Sequence, residues 1–390
     1  MNEKVYLDYN ATTPMDPRVI EAVSDCMAGE YGNPSSIHSF GMSARSRLDE
    51  AREIIAELIG AKPREIVFTS GGSESSNFAL IGAAYSLAER GRHLITTRVE
   101  HASVLETFGF LEKVGFEVTY LSADRAGKID LHELSTSIKD DSILVSMMYA
   151  NNETGVFMPV KEVSEIAQEN DLVFHCDAVQ ALGKVKVDLR EIPFDLMSIS
   201  SHKIYGPKGV GALIIKSGLA ITPFIHGGGQ ERGRRSGTEN VPGIAGFGKA
   251  VELIAENMEA ENQRIRALRD ELLKGISDSI TDFRINGDPE SPGSGLLNTL
   301  NISFDGVNGE AVVMALDIDG VAVSTGSACS EGNVDASHVL LAMGLGEDEA
   351  LRSVRFSLGR FTTTEEIKRV LDILPRVISR IRNVESKTGG

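Results

Sequence analysis

The chain has only three cysteines among its 390 residues, and it has no long apolar run, internal repeat or low-complexity tract. Three widely spaced thiols, Cys26, Cys176 and Cys329, make no disulfide framework. No CxxC pair or Cys/His cluster offers a structural metal site. No stretch approaches the roughly 18–20 apolar residues of a membrane span. The opening MNEKVYLDYN lacks the basic-then-apolar pattern of a secretory signal. A cytoplasmic protein with no membrane contact is the expectation. Positive charge is also short: 39 basic residues face 56 acidic ones, for a net charge of -17. That balance opposes a broad nucleic-acid or anionic-membrane surface, because such binding is driven by attraction to phosphates.

What is present is ordinary globular composition, 42% hydrophobic and 24% charged. The length suits two or three domains, with core enough to need no staples. Glycine is abundant at 39 residues, which favours tight turns and close backbone approach to a ligand.

Short β-rich runs alternate with helix-length segments through the first two-thirds of the chain. Strands are expected at 65–69, 93–97, 116–121, 142–148, 172–176, 196–200 and 209–215. Helices are expected at 17–28, 77–88, 104–113 and 160–169. This alternation predicts an α/β fold, a largely parallel sheet covered by helices on both faces. Near residue 245 the composition shifts. Residues 249–276 read as a long charged helix, with Ile254, Met258, Ile265, Leu268 and Leu272 at helical spacing. Beyond it come a strand at 298–304, a helix at 310–317, strands at 321–323 and 354–358, and a closing helix at 364–382. The reading is a large α/β domain over 15–255 and a smaller α+β domain made of 1–14 and 256–390.

In doubly wound sheets, ligands bind at the carboxyl ends of the strands. The residues just after each strand are therefore the candidates. The first strand runs into Ser70-Gly71-Gly72-Ser73-Glu74 before a helix, glycines and hydroxyls suited to a phosphate. It is no Walker loop, since no Lys-Ser/Thr follows. Other strands lead to His101 and to Asn151-Asn152-Glu153-Thr154-Gly155. The sharpest pair is Asp177, after the 172–176 strand, and Lys203, after the 196–200 strand. An Asp and a Lys at successive strand ends, with an upstream Gly/Ser loop, fit a pyridoxal phosphate site. There the Lys forms the Schiff base and the Asp keeps the ring nitrogen protonated. Lys203, directly after its strand, is preferred over Lys208 in the Gly-Pro turn. Of the thiols, Cys26 in a helix and Cys176 in an apolar strand read as core. Cys329 lies in a small, polar, Gly-containing loop where a thiol can react.

Longer motifs make the comparison specific. They are Tyr6-Leu7-Asp8-Tyr9-Asn10-Ala11-Thr12-Thr13-Pro14, Gly32-Asn33-Pro34-Ser35-Ser36-Ile37-His38, Ser201-His202-Lys203-Ile204-Tyr205-Gly206-Pro207-Lys208-Gly209, Arg232-Gly233-Arg234-Arg235-Ser236-Gly237-Thr238, the Cys329 loop and Val354-Arg355-Phe356-Ser357-Leu358-Gly359-Arg360-Phe361. Over nearly its whole length the chain resembles the cysteine desulfurases. These belong to the class V branch of fold-type I pyridoxal-phosphate enzymes, and the resemblance is to their iron–sulfur-assembly subgroup.

The resemblance implies the following roles. Lys203 holds the cofactor, Asp177 meets its ring nitrogen and Gln180 its ring hydroxyl. His101 stacks on the ring and moves protons. Gly72, Ser73, Ser200 and His202 hold the phosphate, and Asn152 lines the ring. Thr238 reaches the phosphate of a partner subunit, which implies a homodimer. Arg355 and Asn33 bind the substrate, L-cysteine. Cys329 is the nucleophile that carries a persulfide to an iron–sulfur scaffold protein or other acceptor, and it is a transient ligand to a two-iron cluster through that persulfide. Asn10 departs from the alanine usual at its position, Gly72-Ser73 replaces the usual Ala-Thr, and the tip 330–335 is more acidic than usual. Two other readings fit the same fold. An aminotransferase needs no nucleophilic cysteine, so Cys329 counts against it. A selenocysteine lyase is told apart by its response to the selenium substrate. A catalytically dead structural partner is the non-enzymatic alternative, and the presence of Lys203, Asp177, His101 and Cys329 counts against it.

Overall fold

The computed structural model describes residues 4–288, 293–325 and 336–388. A seven-stranded sheet forms the centre. Its spatial order is Ile66–Thr69, Gly211–Ile215, Leu196–Ser200, Val173–Asp177, Ser142–Met148, His93–Thr97 and Glu117–Leu121. Only Gly211–Ile215 runs against its neighbours; the other pairings are parallel. Six of these strands are buried at every position, as a sheet covered on both faces requires.

Successive side chains point to opposite faces and sort into two cores. Val67, Leu94, Leu144, Val173, Leu196 and Leu213 pack with Phe78, Leu80, Phe108 and Leu111 from the helices Gly72–Ser86 and Ala102–Lys113. Ile66, Phe68, Ile95, Val145, Phe174, Met197 and Ile199 face the other way. They meet the helices Ser39–Ile59 and Val160–Glu169 and the first part of Val241–Ser279.

A third core gathers Val5, Leu7, Ile265, Leu272, Ile302, Phe304, Val354, Phe356 and Leu374. It lies among the antiparallel sheet Ser353–Ser357, Thr299–Phe304, Phe283–Asn286 and the helices Gly309–Ile318 and Thr364–Thr388. Val5–Tyr6 pairs in parallel with Val321–Ala322, so the two ends of the sequence share this core. Residues Val339, Leu340, Met343, Leu345 and Ala350 instead join the Ser39–Ile59 side.

Most expected elements are present, many to within two residues. Four differences stand out. Ser39–Ile59 is a helix where none was assigned. Its buried face includes Gly41, Ala44, Ala51 and Arg52, so its apolar stripe is faint. Val241–Ser279 begins eight residues earlier than the expected 249, capped by the Asn240 side chain. Its early glycines look like helix breakers, yet they serve close packing. A Cβ at Gly248 would lie 2.8 Å from the Ala51 Cβ, and one at Gly246 would lie 2.5 Å from Val23 Cγ2. The strand Phe283–Asn286 was not expected, because its alternation is weak and its pairing with Thr299–Phe304 supplies the order. Leu131–Ser137 is likewise an unassigned short helix, capped by Asp130. Among the described residues no helix is long and apolar enough to cross a membrane.

Candidate active site

The carboxyl ends of the parallel strands open on a cavity of about 300 Å³. Gly72, Ser73, His101, Asn152, Asp177, Gln180, Ser200, His202, Lys203 and Arg355 all line it. Each side chain arrives there because its strand ends there. Asp177 closes Val173–Asp177, Ser200 closes Leu196–Ser200, and Lys203 sits on the short turn Ser201–Lys203 that follows. Lys208 is exposed and lies outside the cavity. Arg355 comes from the antiparallel sheet, and Asn10 and Ala11 come from the N-terminal segment.

Lys203 Nζ donates to the carbonyls of Asn10 at 2.6 Å and Ala11 at 2.8 Å. Asp177 is buried and accepts from the Val179 N–H at 3.0 Å. Burial pushes its carboxyl above the usual range, while His101 and Lys203 pull against that shift. A cation arriving in the cavity would hold this carboxylate ionised. His101 caps the helix Ala102–Lys113, its Nδ1 accepting from the Ser103 N–H at 3.1 Å. That backbone donor fixes the lone pair on Nδ1 and leaves the exchangeable proton on Nε2. Burial lowers the His101 imidazole, so the ring is held neutral. Burial, with Lys203 and Lys208, pushes His202 down to about 4. His202 is therefore a neutral hydrogen-bonding group, held at Nδ1 by Thr12 Oγ1 at 3.2 Å.

Arg355 is almost wholly buried. Its Nη2 donates to Asp8 Oδ1 at 2.8 Å and its Nη1 to the Asn152 carbonyl at 3.0 Å. Its Nε is buried with no partner. The backbone of Arg355 exchanges hydrogen bonds with that of Ser324, five residues before Cys329 in the sequence.

The residues fit pyridoxal phosphate. The Ser200 hydroxyl is buried and has no hydrogen-bond partner. A donor is costly to bury in that state unless a ligand completes it. The adjoining helix Gly72–Ser86 begins without a side-chain cap, so its N-terminal end is open to an anion. A Cβ at Gly72 would lie 2.8 Å from Val179 Cγ2, so the absence of one leaves room at this end of the cavity. Neutral His202, the buried carboxyl of Asp177 and the amine of Lys203 complete a donor set for a phosphorylated, nitrogen-containing aldehyde.

Two expected site residues are not in the cavity. Asn33 is exposed, with its Oδ1 turned to the Ser35 N–H at 2.9 Å. Thr238 is exposed on a segment tied to the Gly72 helix by Arg235, whose Nε meets Glu74 Oε1 at 2.8 Å. Cys329, and with it the expected cluster ligand, lies outside the described residues. Cys26 and Cys176 are buried, as expected of core thiols. Among the described residues no group of three or more His, Cys, Asp or Glu side chains could hold a metal.

Asn10, Ser103 and Glu100 were not singled out as site residues. Asn10 was noted only as a departure in a motif, Ser103 looked like an ordinary helix start, and Glu100 is fully buried behind the cavity, where its Oε1 accepts from the Met148 N–H at 2.7 Å.

The family model described as "Aminotransferase class-V" matches residues 5–370. The chain is 50% identical to the cysteine desulfurase IscS of Dictyoglomus turgidum, over 98% of this chain and 97% of that protein. It is 47% identical to the cysteine desulfurase IscS of Clostridium botulinum strain Hall, over 98% and 96%. Among solved structures it is similar to a NifS-like protein, with a TM-score of 0.90, 39% identity and coverage of 97% of this chain and 100% of that one. It is also similar to SspA, solved in complex with cysteine, with a TM-score of 0.81, 38% identity and coverage of 92% and 100%.

Proposed function

The chain belongs to the class V aminotransferase family, among its cysteine desulfurases, and from that premise we propose that it takes sulfur from L-cysteine to give L-alanine and a persulfide on Cys329. The observation that carries this reading is the convergence of Asp177, His101, Lys203, Ser200 and Arg355 on one cavity from four separate strand ends and loops.

Pyridoxal phosphate is the cofactor in this reading. Ser200, Ser73, His202 and the start of the Gly72 helix would hold its phosphate, Asp177 its ring nitrogen, Gln180 its ring hydroxyl and Lys203 its aldehyde carbon. When bound, it supplies an electron sink for the substrate's α-carbon. Arg355 takes the substrate carboxylate. Its planar guanidinium is already held on one side by Asp8 and Asn152, and its unpartnered Nε adds a free donor. Lys203 Nζ and His101 Nε2 are the groups that hold and move protons. Cys329 attacks the substrate sulfur as a thiolate. A sulfur–sulfur bond forms and the substrate's carbon–sulfur bond breaks. The electron pair stays on carbon and is protonated, so cysteine plus a thiol gives alanine plus a persulfide, in balance.

The persulfide then passes to acceptor proteins, an iron–sulfur scaffold among them. A homodimer is part of the reading. Thr238 is exposed and does not line the Lys203 cavity of its own chain, which supports a role toward a second copy. Exposed Tyr31 and Phe40 pack with ring centroids 5.2 Å apart, and Ile37 and Met42 of the same stretch are exposed too, apolar surface suited to burial. The two domains of this reading, 15–255 and 1–14 with 256–390, follow the sheet core and the terminal core, except that Val339, Leu340, Met343, Leu345 and Ala350 pack with the sheet core. A cytoplasmic location belongs to the same reading.

The test is alanine release from L-cysteine by yellow, cofactor-loaded protein, with mass spectrometry of the Cys329 peptide. One extra sulfur on that peptide is expected. Alanine without any persulfide-bearing peptide would move a lyase reading ahead.

A further inference from the structure

Lys184 lies behind the cavity, on the turn that follows Asp177. It does not line that cavity; with Lys203 and Asn298 it lines a separate void of about 20 Å³. Its backbone carbonyl is held by Asn262 Nδ2 at 2.8 Å. Its Nζ points inward, donating to Gln180 Oε1 at 2.6 Å and to Asn10 Oδ1 at 3.0 Å. Burial and the nearby cations Lys203 and Arg355, rather than any carboxylate, set its electrostatic surroundings and lower its ammonium well below the lysine range. Whether charged or neutral, the amine has two N–H groups for its two acceptors.

These contacts leave the Gln180 amide one orientation. Its Nε2 donates to the Asn10 carbonyl at 2.9 Å while its Oε1 receives Lys184. A flipped amide would set its carbonyl against the Asn10 carbonyl and give up the bond from the Lys184 amine, a costly exchange in a buried place. Asn10 is locked in the same way. Its Oδ1 also accepts from Asn298 Nδ2 at 3.0 Å, and its Nδ2 donates to Thr299 Oγ1 at 2.8 Å and to the Asn152 carbonyl at 3.1 Å. Gln180 Nε2 keeps a second N–H beyond the one given to Asn10, a donor that it can turn to the cavity.

We propose that Lys184 is a positioning residue that holds the Gln180 amide with its –NH2 toward the cofactor's ring hydroxyl, so that Gln180 acts there as a hydrogen-bond donor. The inference rests on the reading of the cavity as a pyridoxal phosphate site. A donor at that oxygen stabilises its negatively charged form. Without the donor the oxygen becomes more basic and holds a neighbouring proton more tightly, so the pH midpoint of the bound cofactor's visible absorbance rises. A hydrogen bond to a charged oxygen is worth about 1–2 pH units of such a midpoint.

The experiment is an absorbance titration of the loaded protein carrying Lys184→Met, Gln180→Ala, or both. Lys184→Met is expected to raise the midpoint by about 1–2 units in the wild-type background and to add nothing in the Gln180→Ala background. No shift from Lys184→Met, or the same shift in both backgrounds, overturns the inference while leaving the site reading intact. A Gln180→Ala protein with an unchanged midpoint overturns the assignment of Gln180 to the ring, and the inference with it. If Lys184→Met does not fold, Gln180→Glu serves. It keeps the Lys184 contact and replaces the cavity-facing donor with an acceptor, so the midpoint must rise; an unchanged midpoint overturns the inference.

Discussion

Replacing Ser200 by alanine separates binding from folding. The Ser200 hydroxyl is buried at the end of its strand and has no partner, so the protein without ligand gains nothing from it. An unsatisfied buried polar group costs roughly 1–3 kcal/mol. Ser200→Ala should therefore leave the cofactor-free protein as stable as wild type, or more stable. The loaded protein behaves in the opposite way. A hydrogen bond to a charged phosphate oxygen contributes roughly 1.5–3 kcal/mol, and each 1.4 kcal/mol is tenfold in affinity, so pyridoxal phosphate should bind about 10- to 150-fold more weakly. The assay pairs melting of the cofactor-free protein with a fluorescence titration of pyridoxal phosphate into it. A variant that binds as tightly as wild type would refute the phosphate assignment of Ser200. One that melts well below wild type without ligand would show that the hydroxyl has a structural partner.

Three more outcomes are expected. Arg52 and Glu231 form a buried pair, with Nη2 to Oε1 at 2.7 Å, and Arg52 also donates to the Ile66 carbonyl at 2.6 Å. Arg52→Ala should destabilise the chain by about 3–5 kcal/mol in denaturant unfolding, because Glu231 is left buried beside a single N–H, that of Phe68; a loss within 1 kcal/mol or so would contradict that account. Burial raises the Glu100 carboxyl to about 8 against an ordinary 4.5. The folded chain thus keeps a proton that the unfolded chain releases, and stability is lost as pH rises from about 4.5 to about 8. Glu100→Gln should remove that slope, gaining on wild type steadily over the window in pH-dependent melting; parallel curves would contradict the shift. Cys329→Ser should still bind pyridoxal phosphate and change its spectrum with cysteine, yet lose alanine production, whereas Cys26→Ser and Cys176→Ser keep the chemistry. Desulfurase activity retained by Cys329→Ser and lost by Cys176→Ser would show the nucleophile to be misassigned.

The parallel sheet was legible because a strand buried on both faces must be nearly all apolar. Ile66–Thr69, Ser142–Met148 and Gly211–Ile215 stand out for that reason. The helix Ser39–Ile59 did not stand out, since Arg52 on its buried face is tolerable only beside Glu231, 179 residues later. The site was legible as far as strand ends go: Asp177 and Lys203 each follow a recognisable strand. Asn10 and Lys184 were not, because neither sits directly at a strand end and their importance lies in what they touch.

The sequence by itself determined which residues are chemically equipped for the reaction, and on which side of a parallel sheet they emerge. Alternation, turn residues and strand ends are local properties, written within a few positions of each other. Only the tertiary structure decided how those residues are held. Arg355 is fixed by Asp8 across 347 positions, and Lys203 rests on the Asn10 and Ala11 carbonyls across more than 190. A hydrogen bond depends on distance in space, and no periodicity encodes which distant carbonyl or carboxylate the folded chain brings within 3 Å.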